Sequence, residues 1–174
     1  MKRLLLLRHA KAEAHTAQAG DHARGLAARG RTASGEMGVY LTSHGPVPDL
    51  ILCSDARRAR ETLDGLLVTL KGRPKTEIEP ALYLAESAAL LTRLRKVNDR
   101  FETVMIIGHN PGLEDLAKDL MAASAAGPAY ARMTAKFPTA ALAVLAFEAE
   151  SWAFVDHGGA SLETFVVPRD LAET

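Results

Sequence analysis

The chain has little of what would place it outside the cytoplasm or beside a large polyanion. One cysteine in 174 residues excludes an internal disulfide framework. The 21 basic residues balance 21 acidic ones, which predicts no general attraction to nucleic acid or to an anionic membrane surface. Any affinity for phosphate must therefore be local.

Long apolar runs are also missing. Four leucines at residues 4–7 follow two basic residues, but this run stops at Arg8. The apolar core of a signal peptide needs about seven to fifteen residues, and a membrane span needs about twenty. We therefore expect a cytoplasmic protein in which residues 4–7 form a buried strand.

Short apolar segments alternate with helical patterns along the chain. The strand candidates are residues 4–7, 50–53, 104–107 and 140–147. The segments with apolar residues three or four positions apart are 29–43, 57–71, 87–98 and 113–123. This alternation predicts one α/β domain over residues 1–174, with three α/β/α layers and a mostly parallel central sheet.

The last part of the chain has a different pattern. Segments 152–155 and 162–167 are short strand candidates on either side of the turn signal Gly158-Gly159. They predict an antiparallel strand at one edge of the sheet.

Polar residues follow three of the predicted strands directly. Arg8 and His9 follow the first, Arg58 lies shortly after the second, and His109 follows the third. Ligands of open α/β sheets bind beyond the carboxyl ends of the strands. Arginine binds phosphoryl oxygens bidentately, and imidazole can attack phosphorus or donate a hydrogen bond. These four residues predict a phosphate site.

The third of these segments also has the pattern of a helix start. Asn110 is a good N-cap and Pro111 suits the first helical position. The free backbone N–H groups of such a start favour an anion, so Asn110 is a further candidate for phosphate binding.

Three segments together resemble a known family. They are Arg8-His9-Ala10, the run from Ser54 to Thr62, and Gly108-His109-Asn110-Pro111. In order and spacing they resemble the signatures of the histidine phosphatase superfamily, most closely its short SixA-type phosphohistidine phosphatases. The resemblance covers nearly the whole chain and implies a phosphoglycerate mutase-like fold.

The resemblance also implies roles for individual residues. His9 would be the nucleophile that becomes phosphorylated, and Arg8 and Arg58 would bind the phosphoryl oxygens. His109 would be the second histidine of the pocket, and Arg24 an additional cation on the substrate side. The implied mechanism has two steps and uses no metal or other cofactor. His9 must be neutral to attack, and we expect the neighbouring arginines to lower its pKa.

The chain departs from the family pattern at two positions. Ala10 stands where the superfamily often has glycine, and Glu61 where it often has glutamine. We expect Glu61 to be a solvated helix residue or an arginine partner. Glu86 could be a general acid, but a carboxylate at a helix start is the preferred interpretation.

A missing acid favours a P–N substrate, because imidazole is a better leaving group than an alkoxide. The expected substrate is therefore phosphohistidine on a protein of a phosphotransfer system. Two alternatives stay open: a phosphatase of small phosphorylated molecules, and a non-catalytic module that binds phosphate or a partner.

Cys53 also precedes an arginine-rich turn. Its spacing to those arginines differs from that of cysteine phosphatases, so it is predicted to be a buried packing residue. His15 and His22 lie in the loop that must pass near the pocket, where surface roles are expected.

Overall fold

Six strands form one sheet in the computed structural model, which describes residues 1–172. The strands are β1 (Lys2–Arg8), β2 (Leu50–Ser54), β3 (Lys75–Glu79), β4 (Thr103–Gly108), β5 (Leu142–Phe147) and β6 (Ala160–Val166). The helices are α1 (Ala28–Ser43), α2 (Arg57–Thr69), α3 (Ser87–Leu94), α4 (Gly112–Leu120), α5 (Pro128–Ala135) and α6 (Pro168–Leu171).

The strands lie in the order β3-β2-β4-β1-β5-β6. The first four are parallel, and β5 runs antiparallel to both of its neighbours. This topology confirms the predicted mixed sheet with antiparallel pairing at one end. Within residues 1–172, no helix is long and apolar enough to cross a membrane.

The central strand β1 explains why helices cover both faces of the sheet. Its four leucines at residues 4–7 have no exposed surface. Because successive side chains of a strand point to opposite faces, Leu4 and Leu6 join the core under α3, α4 and α5, whereas Leu5 and Leu7 join the core under α1 and α2. The predicted three layers are confirmed.

The strand predicted at residues 152–155 is wrong. These residues form a 3₁₀ turn at Trp152–Phe154. The indole N–H of Trp152 donates to the carbonyl of Phe101 at 2.7 Å, and its backbone N–H donates to Asp99 at 2.8 Å. One hydrogen bond thus holds the buried ring and the other holds the backbone of Trp152, and together they fix the turn.

Two elements had no visible signal in the sequence. Strand β3 is charged and lies at the sheet edge, where even Ile78 is 45% exposed, so it lacks the apolar pattern of a buried strand. Helix α5 lies within an alanine-rich stretch and begins after Gly127, whose φ of 108° suits glycine.

The register of the sheet brings distant parts of the chain to one edge. Leu7 is paired with Ile107 of β4 and with Leu142 of β5. Cys53 is paired with Ile107, and Val166 with Leu142. The ends of β1, β2, β4 and β6 and the start of β5 therefore share one side of the sheet, which we call the carboxyl edge.

Candidate active site

His9 lies at the carboxyl edge immediately after β1. Its backbone N–H donates to the carbonyl of Gly108 at 3.0 Å, and its side chain is only 7% exposed. Nδ1 lies 2.8 Å from the carbonyl oxygen of Ala10, so an N–H at this nitrogen donates to that oxygen. This tautomer leaves a lone pair on Nε2, the nitrogen that can attack an electrophile.

The surroundings of His9 keep it neutral. They lower its pKa to about 3, with burial as the largest cause. The hydrogen bond to Ala10 opposes this shift, whereas the positive charges of Arg58 and Arg8 add to it. The arginines lower the pKa of His9, as expected. Burial lowers it more, because the charged ring would lose its hydration.

Arg58 connects the groups of the site. The guanidinium is 2% exposed and donates from Nε to Nε2 of His9 at 3.2 Å. Its Nη1 donates to the backbone carbonyl of Asp21 at 2.8 Å, and its Nη2 to the Asp21 carboxylate at 3.0 Å. Nη2 is also 3.3 Å from Nδ1 of His109. Arg58 thus fixes both histidines relative to each other.

His109 follows β4 and faces His9, with 5.2 Å between the ring centroids. Nε2 lies 2.7 Å from the hydroxyl of Ser54, and the ring is 4% exposed. Burial, assisted by the charge of Arg58, lowers the pKa of His109 to about 4. The ring is therefore neutral, and with Nδ1 accepting from Arg58 its Nε2–H donates to Ser54.

Arg8 completes the group of candidate catalytic residues, Arg8, His9, Arg58 and His109, whose site we call the catalytic pocket. Its Nη1 donates to the carbonyl of Phe137 at 3.0 Å. Its Nε is buried and has no hydrogen-bond partner within residues 1–172. Because buried donors are normally paired, this N–H is available to an anion in the pocket.

Comparison with known proteins decides the family. A sequence model of the histidine phosphatase superfamily (branch 1) matches residues 4–88. A curated relative, an uncharacterised protein of Mycobacterium tuberculosis, is 37% identical over 94% of this chain and all of its own length. Two solved structures carry the provisional name phosphohistidine phosphatase SixA. The one from Nakamurella multipartitia is 26% identical with a TM-score of 0.83 and covers 96% of both chains. The one from Agrobacterium tumefaciens is 28% identical with a TM-score of 0.78 and covers 96% of this chain and 98% of its own.

The chain belongs to the histidine phosphatase superfamily. It is a phosphatase of this superfamily and resembles the SixA proteins in fold. The four residues of its catalytic pocket come from three separate segments of the sequence, as the spacing predicts.

Arg24 lies beside the catalytic pocket of this histidine phosphatase rather than in it. Two of its nitrogens donate to Oδ1 of Asp21, at 3.1 and 2.8 Å, and a third donates to the carbonyl of Glu13 at 3.1 Å. Asp21 therefore separates Arg24 from Arg58 and binds both.

Asn110 does not cap helix α4, so the predicted N-cap is wrong. The helix begins at Gly112 and has no side-chain cap. The Asn110 amide instead donates to the carbonyl of Phe137 at 3.0 Å and to Glu114 at 3.2 Å. Glu114 and Asp115 already supply negative charge to the first turn. The buried Oδ1 of Asn110 has no partner in the described part of the chain.

Asp21 and Tyr83 are site residues that the sequence reasoning missed. The Tyr83 hydroxyl donates to Oδ2 of Asp21. This hydrogen bond, followed by those from Arg24 and Arg58, holds the pKa of the Asp21 carboxyl well below its usual range against the effect of burial. The only signal in the sequence was the position of Asp21 three residues before Arg24.

Thr62 is a third residue of the site that the sequence did not reveal. Its buried hydroxyl accepts a hydrogen bond from the backbone N–H of Ala10 at 2.9 Å and donates to the carbonyl of Arg58 at 2.7 Å. It therefore ties the backbone after His9 to helix α2. The sequence shows that Thr62 lies one helical turn after Arg58. It does not show that the hydroxyl binds the backbone N–H of Ala10.

The two glutamates that the sequence singled out lie outside the catalytic pocket. Glu61 accepts from Arg57 at 2.8 Å and from the backbone N–H of Leu26 at 2.6 Å, which confirms it as an arginine partner. These contacts outweigh burial and lower its pKa. Glu86 is exposed before α3 and lines a separate cavity with Lys118 and Asp119.

Cys53 is buried as predicted, with no exposed surface. Burial raises the pKa of its thiol to about 12, so it is not a nucleophile at neutral pH. His22 is exposed, as expected, and its Nε2 lies 2.9 Å from Asp55.

Proposed function

We propose that the protein hydrolyses phosphohistidine in two steps through a phosphorylated His9. In the first step Nε2 of His9 attacks phosphorus, and the bond from phosphorus to the substrate imidazole breaks. The electron pair stays on that imidazole nitrogen, and a proton already on the other ring nitrogen makes the leaving group neutral. In the second step a water oxygen attacks phosphorus, and the bond from phosphorus to Nε2 of His9 breaks with its electron pair returning to Nε2. The water protons leave with the product as dihydrogen phosphate, and neutral His9 is regenerated.

Arg58 and Arg8 would stabilise the charge that spreads over the phosphoryl oxygens during transfer. In the resting site the Nε–H of Arg58 donates to the nitrogen that must attack. A phosphoryl oxygen can take over this hydrogen bond and so release the Nε2 lone pair. The unpartnered Nε–H of Arg8 can bind a second oxygen. Binding of the substrate phosphoryl group thus activates His9 at the same time.

The ionised state of Asp21 supports a P–N substrate. Asp21 is the carboxyl group that hydrogen-bonds to Arg58, and its low pKa means that it has no proton to give to an alkoxide. Glu86 lines a different cavity. A protonated imidazole leaves without an external acid, whereas a sugar alkoxide needs one. This single observation favours phosphohistidine over a phosphomonoester.

The first experiment traps the covalent intermediate. The protein is incubated with a labelled histidine phosphodonor, quenched, and tested for protein-bound label that is stable to base and labile to acid. We expect such label in the wild type and in His157→Ala, whose histidine is exposed and distant, and none in His9→Ala. Label that persists in His9→Ala would contradict the role of His9.

The second experiment tests the substrate. It compares kcat/KM for phosphorylated histidine-containing phosphotransfer proteins with kcat/KM for a panel of sugar phosphates and nucleotides. We expect the phosphoproteins to be preferred. A clear preference for sugar phosphates would make the protein a small-molecule phosphomonoesterase, and failure to turn over any donor would favour a non-catalytic binding module.

A further inference from the structure

A second cavity of about 710 Å³ opens on the same edge of the sheet as the catalytic pocket. We call it the basic cleft. Its walls come from the segment after β1, from α1, and from the chain around α5, β6 and α6. Five of its lining residues are cationic and one is acidic: Lys11, Arg29, Arg132, Lys136, Arg169 and Glu36.

Most of the positive charge of the cleft is unpaired among residues 1–172. Arg132 is paired with Asp170 at 2.6 Å. The other four cations have no ion-pair partner within residues 1–172, and all four are exposed. Because the whole chain carries equal numbers of acidic and basic residues, this excess is a property of the cleft and not of the protein. It matches an anionic ligand.

The arrangement of charge and apolar surface suits a protein segment better than a small molecule. The floor of the cleft is apolar, formed by residues such as Phe165, Pro138 and Ala140, and the cations stand around its rim. Small-molecule sites carry a few fixed polar groups inside the pocket. An apolar centre with a charged rim is the pattern of protein interfaces.

The cleft borders the chain segment that carries His9. Lys11 is two residues from His9, so their Cα atoms are at most about 7.6 Å apart. The backbone N–H of Ala140, on the floor of the cleft, donates to the carbonyls of Arg8 and His9 at 3.1 Å each. A ligand in the cleft therefore lies next to the segment that carries the nucleophile.

From these observations we propose that the basic cleft docks an acidic segment with apolar side chains on the protein that carries the phosphohistidine. This proposal rests on the proposed function and extends it to the choice of substrate. The segment places Glu or Asp side chains against Lys11, Arg29, Lys136 and Arg169, and an apolar side chain on the floor. Docking then raises the local concentration of the phosphohistidine at His9.

The catalytic test uses two phosphohistidine peptides that differ only in their flanks, one rich in Glu and Leu and the other neutral. The quantity measured is the ratio of their kcat/KM values within each variant, so a general loss of activity cancels. We expect a preference for the acidic peptide of about tenfold in the wild type. The ratio should fall to about one in Arg29→Glu/Arg169→Glu and, at high salt, in the wild type.

The matched control is Lys71→Glu/Arg73→Glu. It makes the same change in charge at exposed residues between α2 and β3, at the opposite edge of the sheet. We expect it to keep the wild-type ratio. A wild-type ratio near one, or an equal fall in both double variants, would overturn the docking proposal while leaving the proposed function intact.

If no phosphohistidine peptide is turned over, the proposed function is refuted. A binding measurement then tests the docking proposal separately. The probe is the fluorescein-labelled acidic peptide without phosphate, followed by anisotropy. Binding to the wild type and the control variant, with a loss of about tenfold in Arg29→Glu/Arg169→Glu, supports docking. The docking proposal is refuted if the wild type does not bind the peptide. It is also refuted if the cleft binds anionic phospholipid vesicles and the peptide does not displace them.

Discussion

The neutral state of His9 makes the stability of the fold sensitive to acid. An exposed histidine has a pKa of about 6.5, whereas burial lowers that of His9 to about 3. Between these two values the unfolded chain binds a proton that the folded chain does not. The free energy of unfolding must therefore fall as the pH falls through this window.

The size of the effect follows from the two pKa values. Between pH 7.5 and pH 5, protonation of the unfolded chain at this one histidine lowers the free energy of unfolding by about 2 kcal/mol. His109, with its pKa lowered to about 4, adds a further loss of about 2 kcal/mol. The two buried rings should therefore account for about 4 kcal/mol of acid sensitivity.

His9→Asn isolates the contribution of His9. The asparagine amide can still donate to the carbonyl of Ala10, but it does not titrate. Urea unfolding is measured at pH 7.5 and pH 5, with the fluorescence of the single, buried tryptophan, Trp152, as the signal. We expect the loss of stability between the two pH values to be about 2 kcal/mol smaller in His9→Asn than in the wild type.

His157→Asn is the matched control, because it removes an exposed histidine far from the catalytic pocket. Its loss of stability between pH 7.5 and pH 5 should equal that of the wild type. An equal loss in His9→Asn as well would show that His9 is not held neutral by its surroundings, and the mechanism that depends on a free Nε2 lone pair would be refuted.

Substitutions at Gly30, Gly35 and Thr62 test the local packing. A Cβ at Gly30 would clash with the carbonyl oxygen of Lys11, whereas one at Gly35 of the same helix meets no heavy atom within 4 Å. In urea unfolding we expect Gly30→Ala to destabilise the fold by about 1–3 kcal/mol and Gly35→Ala to stabilise it by about 0.5–1 kcal/mol. A change of the same sign in the free energy of unfolding for both variants would contradict this packing. Thr62→Val leaves the buried N–H of Ala10 unpaired, so it should cost about 1–3 kcal/mol and reduce kcat. Thr62→Ser keeps the hydroxyl and should restore kcat, and a Thr62→Val enzyme with wild-type kcat would exclude the positioning role.

The main strands and the residues after them were predictable because their signals are local. The buried run at residues 4–7 stops at Arg8-His9, and residues 50–53 and 104–107 end in the same way before polar residues. Parallel pairing then had to bring these ends to one edge of the sheet, since the carboxyl ends of parallel strands lie together. Arg8, His9, Arg58 and His109 could therefore be chosen without coordinates.

Elements and contacts whose signals are not local could not be predicted. Strand β3 is exposed and charged, so only its pairing with β2 defines it. The turn at Trp152 looked like a strand because its residues are apolar. It is defined by hydrogen bonds to Asp99 and Phe101, more than fifty residues earlier in the chain.

The sequence by itself determined which side chains have the chemistry for phosphoryl transfer and which strands they follow. Residue type and the apolar pattern of a strand can both be read from neighbouring residues. Only the tertiary structure decided their state. Burial makes His9 neutral, and Tyr83, 62 residues away, helps to keep Asp21 ionised. The basic cleft likewise exists only where separate elements meet. Desolvation and long-range hydrogen bonds depend on the packed fold, so no local pattern encodes them.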